Sequence, residues 1–386
     1  MKPRERVLQT LLHSEPDCVP FDLGSTLVSG IHTIAYRNLL SFLKLPQNNH
    51  HIQDEIQQLA QMDKDVLQHL HVDTRGVFLQ NPKGWTAQYH EDKHYRFFKD
   101  IWRITWRMPR EGGYYYDLWK SPLRGAQSAD LATYPWPDPV DAGRIEGLEE
   151  KAKNLWEVGE YPVILGSTGM APGLLQTSEW LLGFEECYAR LAGDTIFMDT
   201  LLDILAEKEL AFWKFFLPRL GKYFDIVVFA DDFAGQQGLL LSKNMFRYYF
   251  KPRYGQIFSL IKKKAPHISI FFHSCGAIYE LIPELVEMGI DILNPVQVSA
   301  EGMDPKKLKK EFGDCLTFWG GIDTQWVLPF GNICDVKDEV KRRIDELAPG
   351  GGYIFGTVHN IQADVPPQNI MALWESFQEI KAYCKA

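Results

Sequence analysis

Ile268-Ser-Ile-Phe-Phe-His273-Ser-Cys275-Gly-Ala-Ile-Tyr-Glu-Leu-Ile-Pro-Glu-Leu-Val-Glu-Met288-Gly-Ile-Asp-Ile-Leu-Asn294 reads as strand, helix, strand. The first run is β-branched and aromatic, Ile278–Met288 has helical spacing, and Ile290–Leu293 is a second short apolar run. Strands joined through a helix run parallel, because only a long crossover returns the chain to the same end of a sheet. The pattern repeats on both sides. Apolar runs stand at Asp225–Ala230, Leu316–Trp319 and Tyr353–Phe355, with helical spacing over Met245–Lys264, Pro305–Phe312 and Cys334–Leu347. Upstream, Val19–Leu23, Thr74–Leu79 and Pro162–Gly166 alternate with helices near residues 54–70, 179–192 and 196–219. These eight strand candidates predict an α/β fold: a single (β/α)8 TIM barrel over residues 1–386 with an N-terminal helix. A doubly wound open sheet is the alternative, but no Gly-rich dinucleotide fingerprint follows any strand.

Residues 84–120 interrupt the alternation. Trp85–Tyr89, Arg96–Phe98, Arg103–Arg107 and Tyr114–Leu118 read as antiparallel hairpins, with Gly112-Gly113 as a turn. An insertion after an early strand would lie at the barrel mouth, where Tyr114-Tyr115-Tyr116 would shape the entrance, dock a partner or pack as core. Tyr134-Pro-Trp-Pro-Asp-Pro139 is a stiff connector, since its prolines fix φ and remove donors.

The net charge of −9 argues against nucleic acid, which demands a basic face. Lys262-Lys263-Lys264 is read as the solvated end of a helix. The six cysteines (18, 187, 275, 315, 334 and 384) are too few and too scattered for a disulfide framework, and read as reduced thiols. No stretch reaches the roughly 18 apolar residues that span a bilayer. The N-terminus lacks the apolar segment of a signal peptide, so a cytoplasmic location is expected.

In a barrel of this kind the site gathers where the strands end. The run Ile226–Ala230 ends in Asp231-Asp232, and the next in His273-Ser-Cys275. Ile290–Leu293 leads into Asn294-Pro-Val-Gln297, Leu316–Trp319 into Gly320-Gly-Ile-Asp323, and Tyr353–Phe355 into Gly356-Thr-Val-His359-Asn360. His273 and Cys275 share a face, because strand side chains alternate with period two, and imidazole and thiolate are ligand types that suit zinc. His359 would face the same mouth, making a three-ligand set with an open position. The same pair also fits a packed thiol beside a hydrogen-bonded histidine. Of Asp231 and Asp232 only one can point into the mouth; it would orient a ligand or move a proton, or else cap a helix. Asn294, Gln297 and Asp323 are candidate substrate-binding groups, each with a loop-stabilising or capping alternative.

The chain resembles the uroporphyrinogen decarboxylase superfamily, and within it the zinc-dependent corrinoid methyltransferases. The resemblance runs through Arg4-Glu-Arg-Val-Leu, Glu15-Pro-Asp-Cys-Val-Pro20, the proline connector, Asp231-Asp-Phe-Ala-Gly235-Gln-Gln-Gly238 and His273-Ser-Cys275-Gly276. It continues in Asp291-Ile-Leu-Asn294-Pro-Val-Gln297, Trp319-Gly-Gly-Ile-Asp323 and His359-Asn-Ile-Gln-Ala-Asp364-Val-Pro-Pro-Gln-Asn369. It implies a TIM barrel, a corrinoid protein as partner, and a homodimer. The decarboxylases hold their substrate with arginines after the first strand and an aspartate after the next. Here those stretches are Asp22-Leu-Gly-Ser-Thr-Leu-Val-Ser-Gly-Ile-His32 and Val77-Phe-Leu-Gln-Asn81, which carry neither. The methyltransferases pair His-x-Cys with a later cysteine; the register here puts His359 in that place. The resemblance therefore implies zinc on His273, Cys275 and His359, with Asp231 or Asp232 assisting, and a methyl group exchanged with a corrinoid. Imidazole in place of thiolate leaves a stronger Lewis acid, which favours demethylating an O- or N-methyl substrate. The alternatives are a metal-free decarboxylase-like activity on a smaller acid and a barrel that binds without turnover.

Overall fold

The computed structural model describes residues 1–47, 51–170 and 172–383; Cys384 lies outside them. Strands β1 (Ile52–Asp54) and β2 (Leu59–Ala60) form a small antiparallel pair. The main sheet contains β3 (Arg75–Val77). A separate antiparallel sheet follows in β4 (Gln88–Glu91), β5 (Tyr95–Lys99), β6 (Thr105–Pro109) and β7 (Asp117–Lys120). The main sheet resumes with β8 (Val163–Leu165), β9 (Ile226–Ala230), β10 (Ser269–His273), β11 (Ile292–Asn294), β12 (Thr317–Trp319) and β13 (Tyr353–Ile354). Its seven strands lie in sequence order and all pair in parallel.

The sheet curls. Phe21 makes a parallel bridge to Phe355 just beyond β13. On its other side its carbonyl accepts from Asp73 N–H at 2.8 Å, and its own N–H reaches the Asp73 carboxylate at 2.8 Å, just before β3. The expected first strand, Val19–Leu23, is thus reduced to a single bridge that links both edges.

Alternation along each strand sorts the core. Ile226 and Val228, Phe271, Ile292, Trp319 and Ile354 point inside the curl and pack with Ile164. Val227 and Phe229, Ile270 and Phe272, Leu293 and Phe318 point outward to the helices. Val7, from the helix Pro3–Leu11, joins the interior cluster. Arg4 reaches Asp225 at 2.9 Å and Arg6 pairs with Asp17 and Asp73, so this helix is tied where the strands begin.

The expected helix over 54–70 is replaced by the β1–β2 pair and a short helix, Lys64–His69. Ile56, Leu59 and Ala60 have the spacing of a helical face, but Ala60 N–H bonds Ile31 and Gln58 turns the chain at a φ of +54°. The helix expected at 179–192 is two helices, Leu174–Leu182 and Phe184–Gly193, broken at Gly183 with its φ of +88°. The hairpin insertion forms as expected, with the turn at Gly112.

The loop Gly24–Gly30 dips into the curl. Leu27 N–H bonds Gly166 at 3.0 Å, and Asn360 grips the loop through Gly30 N–H (2.6 Å) and the Leu27 carbonyl (2.9 Å). A methyl group on either Gly76 or Gly166 would lie 2.3 Å from the Ser25 carbonyl oxygen. Gly166→Ala is therefore expected to lose stability by about 1–3 kcal/mol, the usual cost of overpacking. Because Gly76→Ala strikes the same carbonyl, the double variant should cost less than the sum. Urea midpoints of the three proteins check this; additive losses would mean the loop does not lie over both glycines.

Candidate metal centre

The inward parity of β10 carries past its end. Phe271 and His273 face inward, and Cys275 continues the series, while Ser274 is buried and accepts from Phe233 N–H at 3.2 Å. β9 does the same: after Ala230, Asp231 turns outward and Asp232 inward.

His273, Cys275 and His359 come together with their donor atoms within 4.8 Å of one another. Cys275 Sγ lies 3.3 Å from His273 Nε2. His273 Nδ1 is 2.5 Å from Asn294 Oδ1, while Asn294 Nδ2 donates to the Trp319 carbonyl at 2.9 Å. That second bond fixes the amide with its oxygen toward the ring. Nδ1 therefore carries the proton and the Nε2 lone pair faces the thiol. The His359 ring stands 5.4 Å from that of His273, and burial followed by the neighbouring imidazole lowers its pKa to about 3, so it is neutral. Burial and then the Asp232 carboxylate push the Cys275 thiol well up. Asp232 Oδ1 accepts from Cys275 N–H at 2.7 Å and lies 3.9 Å from His273 Nε2.

This donor set fits zinc. Bond lengths of about 2.3 Å to sulfur and about 2.0 Å to nitrogen make the edge of a tetrahedron roughly 3.5 Å, close to the sulfur–nitrogen separation found here. The wider limit of the set exceeds such an edge by roughly 1 Å, a gap that side-chain rotation spans. Two imidazoles and one thiol leave room for a further ligand, as catalytic zinc sites do.

The trio opens on a cavity of about 510 Å³, lined by Cys275 and His359 together with Gln57, Tyr115, Gln297 and Gln325 among others. Among the described residues no Asp, Glu, Lys or Arg lines it. The insertion contributes Tyr115, whose hydroxyl bonds Gln362, whereas Tyr116 is buried core and Tyr114 is exposed.

The remaining candidates separate. Asp231 is buried and turned from the mouth; it accepts Leu175 and Gln176 N–H, each at 2.8 Å, and the Tyr254 hydroxyl at 2.8 Å. It thus caps the helix Leu174–Leu182, and burial raises its pKa to about 7. Asn294 lies behind His273 rather than in the cavity. Gln297 lines the cavity and accepts Gly276 N–H at 2.6 Å. Asp323 accepts Gln325 and Trp326 N–H at 2.6 and 3.2 Å, and caps that turn. Strand parity alone separates Asp232 from Asp231. Nothing in the sequence signals Gln57 or Gln325, which reach the cavity from loops.

Comparison with known proteins bears on the same residues. A family model described as Uroporphyrinogen decarboxylase (URO-D) matches residues 125–380. A protein named uroporphyrinogen decarboxylase, from Alkalilimnicola ehrlichii, is 22% identical over 279 residues, 71% of this chain and 70% of its own length. A solved structure titled methyltransferase from Methanosarcina mazei superposes with a TM-score of 0.62 at 18% identity, covering 99% of this chain and 100% of its own, and so shares the fold. Among the described residues no helix is long and apolar enough to cross a membrane. With the family match spanning His273, Cys275 and His359, the chain belongs to the uroporphyrinogen decarboxylase (URO-D) family.

Proposed function

We propose that this chain is one (β/α)8 barrel domain over residues 1–386 and a zinc-dependent methyltransferase. It would exchange a methyl group between a small O- or N-methyl substrate and a corrinoid held by a separate protein. The observation that carries this reading is the convergence of His273, Cys275 and His359 on an uncharged cavity, with Asn294 fixing the ligand tautomer of His273. Likeness in fold to the Methanosarcina methyltransferase supports it. Zinc bound there supplies a Lewis acid that polarises the heteroatom carrying the methyl group. Asn294 holds the His273 ring, and Asp232, whose carboxylate accepts the Cys275 N–H, would be the nearby base for the thiol proton. The insertion, through Tyr115, narrows the entrance and limits water.

The name of the Alkalilimnicola relative favours a second reading, a carboxy-lyase acting on a smaller acid. The cavity offers no arginine or lysine to pair with a carboxylate, so the methyltransferase reading is preferred. The test follows the cob(I)alamin absorbance of zinc-loaded protein mixed with methyl ethers or methylamines. Conversion to methylcobalamin that requires both zinc and Cys275 is the expected result. Carbon dioxide release from small acids without metal would overturn it, and a protein that holds no zinc and turns nothing over would leave only a binding barrel.

A further inference from the structure

Gln297 is 4% exposed, and its Oε1 accepts Gly276 N–H at 2.6 Å. A backbone N–H can only donate, so this bond decides which end of the amide is oxygen. The Nε2 end is left at the cavity beside Cys275, with no protein acceptor among the described residues. It is a donor held in place, open to the cavity and without a protein partner, and so is free to bond an acceptor that enters there.

The other polar groups around it are uncharged. The Gln57 amide is spent on Leu27 and Asn360, and that of Gln362 on Tyr115 and Asn360. The Thr324 hydroxyl and the Gln236 and Gln325 amides remain at the rim. Ile56, Leu59, Ala234 and Val358 supply apolar wall. Burial lowers the pKa of His32, a further histidine of the lining. Apart from the metal, the lining gives a carboxylate or an ammonium no counter-charge for the water it loses on entering, whereas a neutral oxygen needs only one donor.

We propose that the cavity takes an uncharged small molecule bearing an acceptor oxygen, an ether or alcohol, and that Gln297 Nε2 donates to that oxygen. This selects the O-methyl side of the methyltransferase reading and rests on it, since the oxygen would lie beside the metal ligands.

Three probes of one shape and different charge test it: 4-methoxyphenol, 4-methoxybenzoate and 4-methoxybenzylamine, titrated calorimetrically into zinc-loaded protein. The phenol is expected to bind about tenfold or more tighter than either ion. Gln297→Glu keeps an oxygen for Gly276 N–H and so keeps the fold, but it puts an acceptor where the donor was. It should weaken the phenol by about tenfold or more, and Gln297→Met should weaken it similarly. Equal or tighter binding of either ion, no saturable binding of the phenol, or unchanged affinity in Gln297→Glu would overturn the proposal. Zinc content of the same samples separates the two failures. A zinc-free protein that still selects the phenol sinks the metal reading, and a zinc-loaded protein without selection sinks this one.

Discussion

Cys275→Ala is expected to abolish stoichiometric zinc binding while leaving the protein folded. Wild-type protein loaded and desalted should hold about one zinc per chain, as a three-ligand site does, and the variant close to none. The thiol is one of three donors, and its sulfur sits 3.3 Å from His273 Nε2. In the proposed site its removal would therefore take away a metal bond rather than a support for one. Asn294→Leu provides the graded comparison. That residue touches the ring and not the metal, so its loss should weaken zinc by roughly 10–100-fold without abolishing binding. It also strips the Trp319 carbonyl of its donor, which should cost about 1–3 kcal/mol of stability. Compared without metal, Cys275→Ala should melt within about 2–4 °C of wild type, because the sulfur opens on the cavity and carries little packing. Full zinc retention, or a large loss of stability without metal, would assign Cys275 to the core instead.

Glu179→Gln should make the protein more stable at pH 8 and no different near pH 4.5. Glu179 is buried in the helix Leu174–Leu182, where its Oε1 accepts the Tyr188 hydroxyl at 2.6 Å. Burial raises its pKa to about 8, and Asp231 and Asp232 add to the rise. A group whose pKa is raised by folding contributes no penalty below its unfolded value of 4.5. Above it, the unfolded chain ionises while the folded one stays protonated, so stability falls as pH rises toward about 8. The full span is on the order of 5 kcal/mol. Glutamine keeps an oxygen for Tyr188 and does not titrate, so the variant curve should be flatter across that window. Chemical denaturation at half-unit pH steps reads the difference. Parallel curves for the two proteins would mean that Glu179 is ionised in the fold.

The order of the strands was legible from composition and spacing, because each inner strand is buried on both faces and reads as a short apolar run. Residues 54–70 were not, since Ile56, Leu59 and Ala60 satisfy a helical face equally well until Ile31 offers Ala60 a backbone partner. The break at Gly183 escaped for a related reason: apolar periodicity continues through a residue whose positive φ ends one helix and starts another.

At the site, the sequence by itself determined the identity of the donors and the faces they share. His273 and Cys275 follow from period two, and the same parity lets only one of Asp231 and Asp232 face the mouth, which the structure resolves in favour of Asp232. Only the tertiary structure decided that His359 reaches them, that Asn294 serves the ring rather than a ligand, and that Asp323 and Asp231 serve as caps. It alone assembled a cavity free of charge from Gln57, Gln297 and Gln325. Parity is local, because adjacent side chains on one strand are set by backbone geometry. Convergence is not: it depends on how far the sheet curls and where the loops between its strands come to rest.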